Sequence, residues 1–423
     1  MKEEFLHYLW KYRLFNPERL FTADGEPVQI LNPGQENPDA GPDFLAAKVR
    51  IGETVWAGHV EIHTTSSYWY RHRHQEDAAY GNVILHVVYQ HDREAFTHQG
   101  ERLPVIELKG KFNESLLDNY HRLLSARSWV PCHDNIGKID RGYLSTWLHR
   151  ILVERLERKS EEVLHFYNFF NQDWEQTFYF LLARNLGFKA NTQPFGQLAQ
   201  RTPLKMLLRS SSNLLSIEAM LFGQSGLLPE TPEAPYPRAL VDEYRHQQRK
   251  HQLEPMPAHL WKFAKLRPAG FPTIRIAQLA MLIHKAPRLF SALIDCHSLK
   301  EILAILRINT SPYWDTHFVF EKTSPARTKT LGIDAISSIV INTLVPVLFV
   351  YGRHSLQPHL GEKAIDYLAE MPPEKNAIIT KWKQLGFSAG NAGESQALLE
   401  LRKFYCTPKK CLHCAVGHKV LIQ

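Results

Sequence analysis

The stretch GPDFLAAKVRIGETVWAGHVEIHTT, residues 41–65, determines how the N-terminal part of this chain is interpreted. It contains two apolar, β-branched runs, AAKVRI and TVWAGHVEIH, separated by Gly52 and Glu53. This pattern predicts a β-hairpin whose turn is formed by those two residues. Asp43 lies at the start of the first strand, and Glu61 and His63 lie near the end of the second.

Further strands are predicted directly downstream of the hairpin. The runs NVILHVVY (82–89) and PVIELK (104–109) are rich in β-branched residues and are bounded by polar loops. Residues 28–110 are therefore expected to form a unit of four or five strands with helices beside it.

After about Arg141 the sequence pattern is typical of helices. Leu144, Leu148 and Leu152 recur at intervals of four in LSTWLHRILVERLERKSEEVL. Another helix is expected to begin after the capping residue Asp173 and to end at Gly187.

The predicted fold class is α+β, with three regions in order along the chain. Residues 1–135 are expected to form a mixed β-sheet unit with flanking helices that carries a metal site. Residues 136–400 are expected to form a large, mostly α-helical domain, and residues 401–423 a short Cys-rich tail that binds a metal or cluster.

Composition and charge allow several function classes. The chain has 423 residues, 44% of them hydrophobic, and a formal net charge of +7, which favours an anionic partner such as nucleic acid without requiring one. The N-terminal run MKEEFLHYLWKYRLF mixes charges with aromatic residues, which is not typical of a signal peptide. We therefore expect a cytoplasmic protein; the sequence does not indicate its oligomeric state.

One apolar segment raises the question of a membrane helix. The run AISSIVINTLVPVLFVY, residues 335–351, has no charged residue and is nearly long enough to span a bilayer. It contains several polar residues and a proline, and no other segment supports a membrane protein. We interpret it as a buried core helix and expect no membrane partner.

The hairpin acids suggest a cation site. Side chains alternate along a strand, so Glu61 and His63 point to one face while Val60 and Ile62 point into the core. Asp43 lies across the hairpin from them. Two converging carboxylates disfavour joint ionisation unless a cation is present, and hard oxygen ligands suit Mg²⁺ or Mn²⁺. Such a metal could activate water for attack on a phosphate.

Histidines near the hairpin are candidate additional ligands. His72 and His74 are two residues apart, Asp77 follows, and His86 lies within the next predicted strand. Imidazole and carboxylate together suit zinc or manganese. The chain has 22 histidines, however, so chance clustering is an alternative, and a histidine on an apolar strand is often structural.

The C-terminus contains a second candidate metal site. Cys406, Cys411 and Cys414 form a C-x4-C-x2-C pattern, and His418 follows four residues later. With His418 as fourth ligand the pattern suits zinc, and with Cys132 as fourth ligand it suits an iron–sulfur cluster. A tail of free thiols that merely packs is the third interpretation.

Two weaker signals involve cationic residues. Arg267 and Arg275 lie around the turn into a predicted helix, where they could contact a phosphate or form salt bridges. Glu107 and Lys109 share a strand face and could add to the hairpin site or form a solvated pair.

Several motifs together resemble a known family. They are GPDF, GHVEIH, HRH, NVILHVVY, RPAGFPTIRIAQLA, FGQSGLL, INTLVPVLFVYG and YCTPKKCLHCAVGHKVL. With these motifs, nearly the whole chain resembles the bacterial domain-of-unknown-function family 2851. This resemblance implies family membership but no activity, since the family has no assigned function.

The hairpin also resembles the PD-(D/E)xK nuclease core. The resemblance implies that Asp43 and Glu61 hold a divalent metal and that the residue two positions after the second acid assists the attacking water. That residue is usually lysine, and here it is His63, which lacks a fixed positive charge. Some nucleases with this core also resemble the chain in having one distant cysteine and a C-terminal cysteine trio.

Two classes of function follow from these patterns. The first is a metal-dependent, nuclease-like phosphodiesterase that acts on nucleic acid through the N-terminal sheet. The second is a non-catalytic nucleic-acid- or protein-binding factor whose C-terminal metal site is structural. Convergence of Asp43, Glu61 and His63 in an open groove with basic walls would favour the enzyme. Divergence of these residues, or their burial under helices, would favour the binding factor.

Overall fold

The structure is a computed structural model that describes residues 1–423. The chain forms two compact units: Met1–Trp147 with Leu401–Gln423, and Leu148–Glu400. The first contains the large sheet and the second is mainly helical, so the predicted α+β class is confirmed. The Cys-rich tail belongs to the same unit as the sheet.

The strands are β1 (Val28–Asn32), β2 (Gln35–Glu36), β3 (Phe44–Ile51), β4 (Thr54–Thr65), β5 (Val83–Gln90), β6 (Val105–Glu107), β7 (His317–Val319) and β8 (Lys322–Thr323). The helices are α1 (Glu3–Tyr12), α2 (Tyr68–Arg71), α3 (Ser115–Ser125), α4 (His133–Ile136), α5 (Arg141–Phe169), α6 (Trp174–Leu186), α7 (Phe188–Arg201), α8 (Leu204–Leu208), α9 (Leu214–Gln224), α10 (Pro235–His251), α11 (Pro272–Lys285), α12 (Leu289–Ile294), α13 (Leu299–Leu306), α14 (Ile333–Ile339), α15 (Val345–His354), α16 (Pro358–Glu370), α17 (Ala377–Gln384), α18 (Ala392–Leu401) and α19 (Ala415–Leu421).

The sheet of the first unit is mixed, as predicted. Its order is β1-β3-β4-β5-β6, and β2 pairs with one end of β3. Strands β1, β2 and β4 are antiparallel to β3, whereas β4, β5 and β6 are mutually parallel. The first half of β4 therefore pairs with β3, and its carboxyl-terminal half, after Val60, pairs with β5 in the parallel part of the sheet.

The hairpin forms as the sequence predicts. Ile51 pairs with Thr54, and Gly52 in the turn has φ +55°, a conformation that glycine adopts without strain. At the other end of the hairpin Phe44 pairs with Val60. This register brings the residue before β3, Asp43, beside the end of β4.

Gly58 allows β4 to pair with two different partners. A Cβ atom at Gly58 would lie 2.6 Å from the backbone oxygen of Asn82 and 2.4 Å from the Ile84 side chain. Only a residue without a side chain permits this close approach. Glycine is therefore required where β5 joins β4.

Strand β4 is buried on both faces. Val60 and Ile62 are fully buried as expected, but Glu61 and His63 are only 4% and 1% exposed. Helices α1 and α2 both pack against β4. The expectation that only the Val60 face belongs to the interior is therefore corrected.

The second unit is mainly helical, and its two-stranded β7–β8 ribbon is the only sheet in it. The predicted helix after Asp173 is α6, whose first turn is capped by a 2.9 Å hydrogen bond from the Gln176 N–H to the Asp173 carboxylate. The helix ends before Gly187, as predicted.

The apolar run near residue 340 is a buried helical segment. Ile333–His354 is long and apolar enough to cross a membrane by length and composition, but 72% of its most apolar window is buried inside the protein. Such burial is typical of a core helix, which was the expectation for this run.

Candidate metal centre

The candidate centre lies at the end of β4 and in the segment that follows it. Glu61 and His63 are on β4, His72 comes directly after α2, and His74 begins a short 3-10 helix, His74–Glu76. The end of β4 and the tight turn after it therefore bring four potential ligands to one place. All four lie within 14 residues of sequence.

Asp43 is joined to this strand end by reciprocal hydrogen bonds. The Ile62 N–H donates to Asp43 Oδ2 at 2.8 Å, and the Asp43 N–H donates to Glu61 Oε2 at 3.1 Å. His7 Nε2 lies 3.4 Å from the same Asp43 oxygen. The two hairpin acids therefore lie side by side, and Asp43 also holds the backbone of β4.

The imidazoles gather around the other Glu61 oxygen. Glu61 Oε1 lies 3.1 Å from His74 Nε2 and 3.5 Å from His63 Nε2. His63 Nε2 lies 3.1 Å from His72 Nδ1. One ring nitrogen from each of the three histidines lies within 4.8 Å of the others. The three imidazole nitrogens therefore lie together, and Glu61 Oε1 lies beside two of them.

These separations suit a transition-metal ion. Metal bonds of 2.0–2.1 Å in a tetrahedral site would place neighbouring ligand atoms about 3.3–3.4 Å apart. In addition, His74 Nε2 is buried and has no hydrogen-bond partner. Buried polar atoms are rarely left unpaired, so an atom of this kind, aimed at a carboxylate oxygen, is typical of a metal ligand.

The histidines are held in the neutral form that ligates metals. Burial and the neighbouring histidines lower the pKa of His63 to about 2. Burial also lowers the pKa of His72 and of His74. Each ring therefore keeps a nitrogen lone pair at neutral pH.

Glu61 has the opposite shift. Burial raises its pKa to about 9, and the charge of Asp43 contributes in the same direction. At neutral pH and without a cation, Glu61 is therefore protonated. A bound cation would stabilise the carboxylate and lower this pKa.

His86 supports His63 from the adjacent strand. Glu61 pairs with His86 in the β4–β5 register, and His86 Nε2 lies 2.9 Å from His63 Nδ1. His86 is fully buried, and burial lowers its pKa to about 3. If His63 donates its Nδ1 proton to His86, the His63 Nε2 lone pair faces the centre.

Two residues near the centre were missed from the sequence. Glu3 and His7 lie one turn apart on α1, and Glu3 Oε1 is buried without a hydrogen-bond partner. Burial, followed by the charge of Asp43, raises the pKa of Glu3. Burial alone would lower the pKa of His7, but Asp43, whose Oδ2 lies 3.4 Å from His7 Nε2, raises it. The only available signal was the i, i+4 spacing of an acid and a histidine.

Other residues proposed from the sequence have different roles in the structure. Asp77 is exposed and caps the 3-10 helix Ala78–Tyr80 by accepting the Ala79 N–H at 2.8 Å. Glu107 lies on β6, with β5 between it and β4, and accepts the His91 N–H at 2.8 Å. Lys109 follows β6 and is exposed.

The two arginines considered as phosphate contacts lie in the second unit. Arg275, on α11, donates to Gln278 Oε1 at 2.8 Å and lies over the Phe188 ring. Burial lowers its pKa to about 10. The Arg275 side chain is therefore held by these two contacts and not by a salt bridge. Arg267 is exposed next to the turn Pro268–Gly270.

A cleft with a volume of about 740 Å³ also lies in the second unit. Its lining includes Lys159 and Arg184, which form ion pairs with Glu162 at 2.9 and 3.0 Å. The positive charges of Lys159 and Arg184 are therefore partly neutralised. The cleft contains no cluster of potential metal ligands like that of the first unit.

The four cysteines considered from the sequence all lie in the first unit. Cys132 precedes α4, which packs against α19, the helix that begins after Cys414. Burial, followed by the charges of Cys414 and Cys411, raises the pKa of Cys132 to about 12. His418, in contrast, lies 2.8 Å from the Tyr8 hydroxyl through its Nδ1. Of the two proposed fourth ligands, Cys132 is the one that lies with the trio.

Comparison with known proteins identifies a family without a function. The family model described as "Protein of unknown function (DUF2851)" matches residues 3–377. This range includes the histidine centre and Cys132 and ends before the three C-terminal cysteines. No curated protein matches, and no solved structure matches. Because the family model covers most of the chain, the protein belongs to the DUF2851 family of proteins of unknown function.

Proposed function

We propose that the first unit is a metal-dependent phosphodiesterase that acts on nucleic acid. The observation that carries this proposal is the clustering of His63, His72 and His74, whose ligand nitrogens lie within 4.8 Å of one another. Glu61 Oε1 lies 3.1 Å from His74 Nε2 and 3.5 Å from His63 Nε2. Three imidazoles and one carboxylate form a ligand set found around metals that activate water.

The ligand set favours manganese or zinc over magnesium. Magnesium prefers oxygen ligands and retains its waters, whereas imidazole suits the transition metals. The histidine at the position of the nuclease lysine, His63, then acts as a metal ligand. When bound, the metal supplies a water of lowered pKa and stabilises charge on the phosphate.

His7 and Asp43 are placed to move protons beside this centre. Their side chains lie 3.4 Å apart and are each 23% exposed. Asp43 raises the pKa of His7 above its ordinary 6.5, so His7 can donate a proton near neutral pH. We assign His7 as the acid that protonates the leaving oxygen, with Asp43 holding its ring.

Two arginines support a phosphate-containing substrate. Arg71 and Arg73 are exposed and alternate with His72 and His74 in the sequence RHRH. Arg71 directly precedes His72, and its charge, after burial and the charge of His74, contributes to the lowered pKa of His72. Guanidinium groups bind phosphate oxygens in bidentate geometry, which suits the polyanionic backbone of a nucleic acid.

The proposal is tested with the purified full-length chain. Metal content is measured, the metal is removed by chelation, and Mn²⁺, Zn²⁺ or Mg²⁺ is restored separately. Hydrolysis is then followed with bis(p-nitrophenyl) phosphate, single- and double-stranded DNA, and RNA. We expect hydrolysis with Mn²⁺ or Zn²⁺ and losses of 100-fold or more, on the order seen for catalytic groups, in Glu61→Gln and His74→Ala.

His98→Ala is the matched control, since His98 is an exposed histidine in a loop of the same unit. It should retain full activity. If the metal-loaded wild type hydrolyses none of these substrates but binds nucleic acid, the chain is a non-catalytic binding factor. Equal activity of Glu61→Gln and wild type would also overturn the proposal.

A further inference from the structure

We propose that Cys132, Cys406, Cys411 and Cys414 form a second metal centre, a four-thiolate site for a thiophilic metal. Its occupant is a zinc ion or an iron–sulfur cluster, both of which are bound by cysteine thiolates. The site does not depend on the proposed phosphodiesterase activity and has its own test.

Helix packing brings the distant cysteine to the C-terminal trio. Cys132 immediately precedes α4, and Cys414 immediately precedes α19. Helices α4 and α19 pack against each other. The two thiols therefore lie at the starts of two contacting helices, although most of the chain separates them in sequence.

The trio is folded back on itself by a compact loop. The Lys409 N–H donates to the Cys406 carbonyl at 3.2 Å, and the Cys411 N–H donates to the Lys409 carbonyl at 2.8 Å. The Cys414 N–H then donates to the Cys411 carbonyl at 3.3 Å. Successive tight turns thus direct three cysteines to one region.

The backbone after Cys414 partly offsets the effect of burial on its thiol. Burial raises the pKa of Cys414, whereas the N–H groups of Gly417 and Val416 act to lower it. A Cβ atom at Gly417 would lie 2.1 Å from the Cys411 carbonyl oxygen, so only glycine permits this turn. Backbone N–H groups directed at a sulfur atom favour its charged, metal-binding form.

Four neighbouring cysteines that form no disulfide are unusual in a largely buried position. Cys132, Cys411 and Cys414 are 9%, 7% and 8% exposed, and all four cysteines are free of disulfides. Burial, together with neighbouring thiol charges, raises the pKa of Cys406 and of Cys411. A metal cation compensates for this repulsion and allows all four to ionise.

His418 is not needed as a ligand. Its Nδ1 lies 2.8 Å from the Tyr8 hydroxyl, and its ring packs against Tyr12 with centroids 4.5 Å apart. These contacts fix the imidazole within the α1 interface. The fourth ligand is therefore Cys132, and the donor set is sulfur only.

The test uses the full-length chain purified without oxygen. Zinc, iron and acid-labile sulfide are quantified and the visible spectrum is recorded. We expect either one zinc bound to the cysteines or iron with sulfide and absorbance near 400 nm; either occupant supports the site. Glu61→Gln and His74→Ala should leave this metal in place, which separates it from the histidine centre.

Cys132→Ser and Cys414→Ser should each lose this metal. The matched control is Cys296→Ser, since Cys296 is a buried free cysteine of the second unit. His418→Ala should also keep the metal. Full metal content in Cys132→Ser, or loss of the metal in His418→Ala with retention in Cys132→Ser, would overturn the proposal.

Wild-type protein provides a test that does not depend on folding of the variants. Titration with p-hydroxymercuribenzoate should release the thiolate-bound metal as four thiols react, while the histidine-bound metal stays. Wild-type protein that contains no zinc, and no iron with sulfide, outside the histidine centre would exclude the site.

Discussion

His74 Nε2 lies 3.1 Å from Glu61 Oε1, with both side chains buried and this nitrogen lacking a hydrogen-bond partner. A neutral imidazole lone pair and a carboxyl oxygen approach this closely when a proton or a metal ion lies between them or beside them. In the metal-free protein the proton resides on Glu61, since burial raises its pKa to about 9.

This protonation predicts how the stability of the metal-free protein depends on pH. Glu61 loses its proton near its ordinary pKa of 4.5 when the chain is unfolded, but keeps it to about pH 9 when folded. The unfolded state therefore binds fewer protons in this window, and stability falls as pH rises through it. Between pH 6.5 and 9, the thermal midpoint of chelator-treated protein should decrease by several degrees.

The window above pH 6.5 avoids the opposing effect of the buried histidines. The pKa values of His63 and His86 are lowered when folded, so their contribution rises with pH only up to about 6.5. Glu61→Gln removes this titrating group and should make the decrease above pH 6.5 smaller, with the raised pKa values of Glu3 and His7 accounting for the remaining slope. A wild-type midpoint that stays constant or rises from pH 6.5 to 9 would contradict the assignment.

Replacing His86 should weaken metal binding while preserving the fold. His86→Phe keeps a ring of similar size on β5 but removes the partner that orients His63 at 2.9 Å. Loss of such a supporting contact typically weakens metal affinity about 10–100-fold. The measurement is Kd by competition with a chromogenic chelator, beside an unfolding curve of the metal-free variant. An unchanged Kd would show that His86 has only a packing role.

Asp43 should have a structural role that its replacement by Ala and by Asn can separate. Asp43→Ala leaves the Ile62 N–H without its 2.8 Å acceptor and should lower the free energy of unfolding by about 1.5–3 kcal/mol. Asp43→Asn retains an acceptor oxygen and should lose less stability, yet still lose the negative charge beside His7. Urea unfolding measures the first effect, and the pH profile of hydrolysis measures the second. Equal stability of the two variants would argue against the backbone role.

Gly58→Ala should destabilise the junction between β4 and β5. The added methyl group would overlap the Asn82 carbonyl oxygen and the Ile84 side chain, and overpacking of this kind costs about 1–3 kcal/mol. Gly137→Ala is the control, since a Cβ atom there meets nothing within 4 Å. Chemical unfolding of both variants gives the comparison. Equal stability would show that the strands separate without cost.

Local signals in the sequence were sufficient for much of the fold. The hairpin, its Gly52 turn and the helix capped by Asp173 depend on residues close together in the chain, and they form where predicted. The two-residue period of a strand also placed Glu61 and His63 on one face. These features depend on short-range steric effects and hydrogen bonds, so the local sequence is sufficient to predict them.

The tertiary structure decided which of the candidates meet. Strand periodicity determines the side on which Glu61 lies, but not that α1 covers it, so the sequence did not point to Glu3 or His7. Likewise, the spacing of the C-terminal cysteines could not choose between Cys132 and His418. That choice depends on the packing of α19 against α4, a contact between segments far apart in the chain. Such contacts are determined by burial over the whole unit, and local patterns do not encode them.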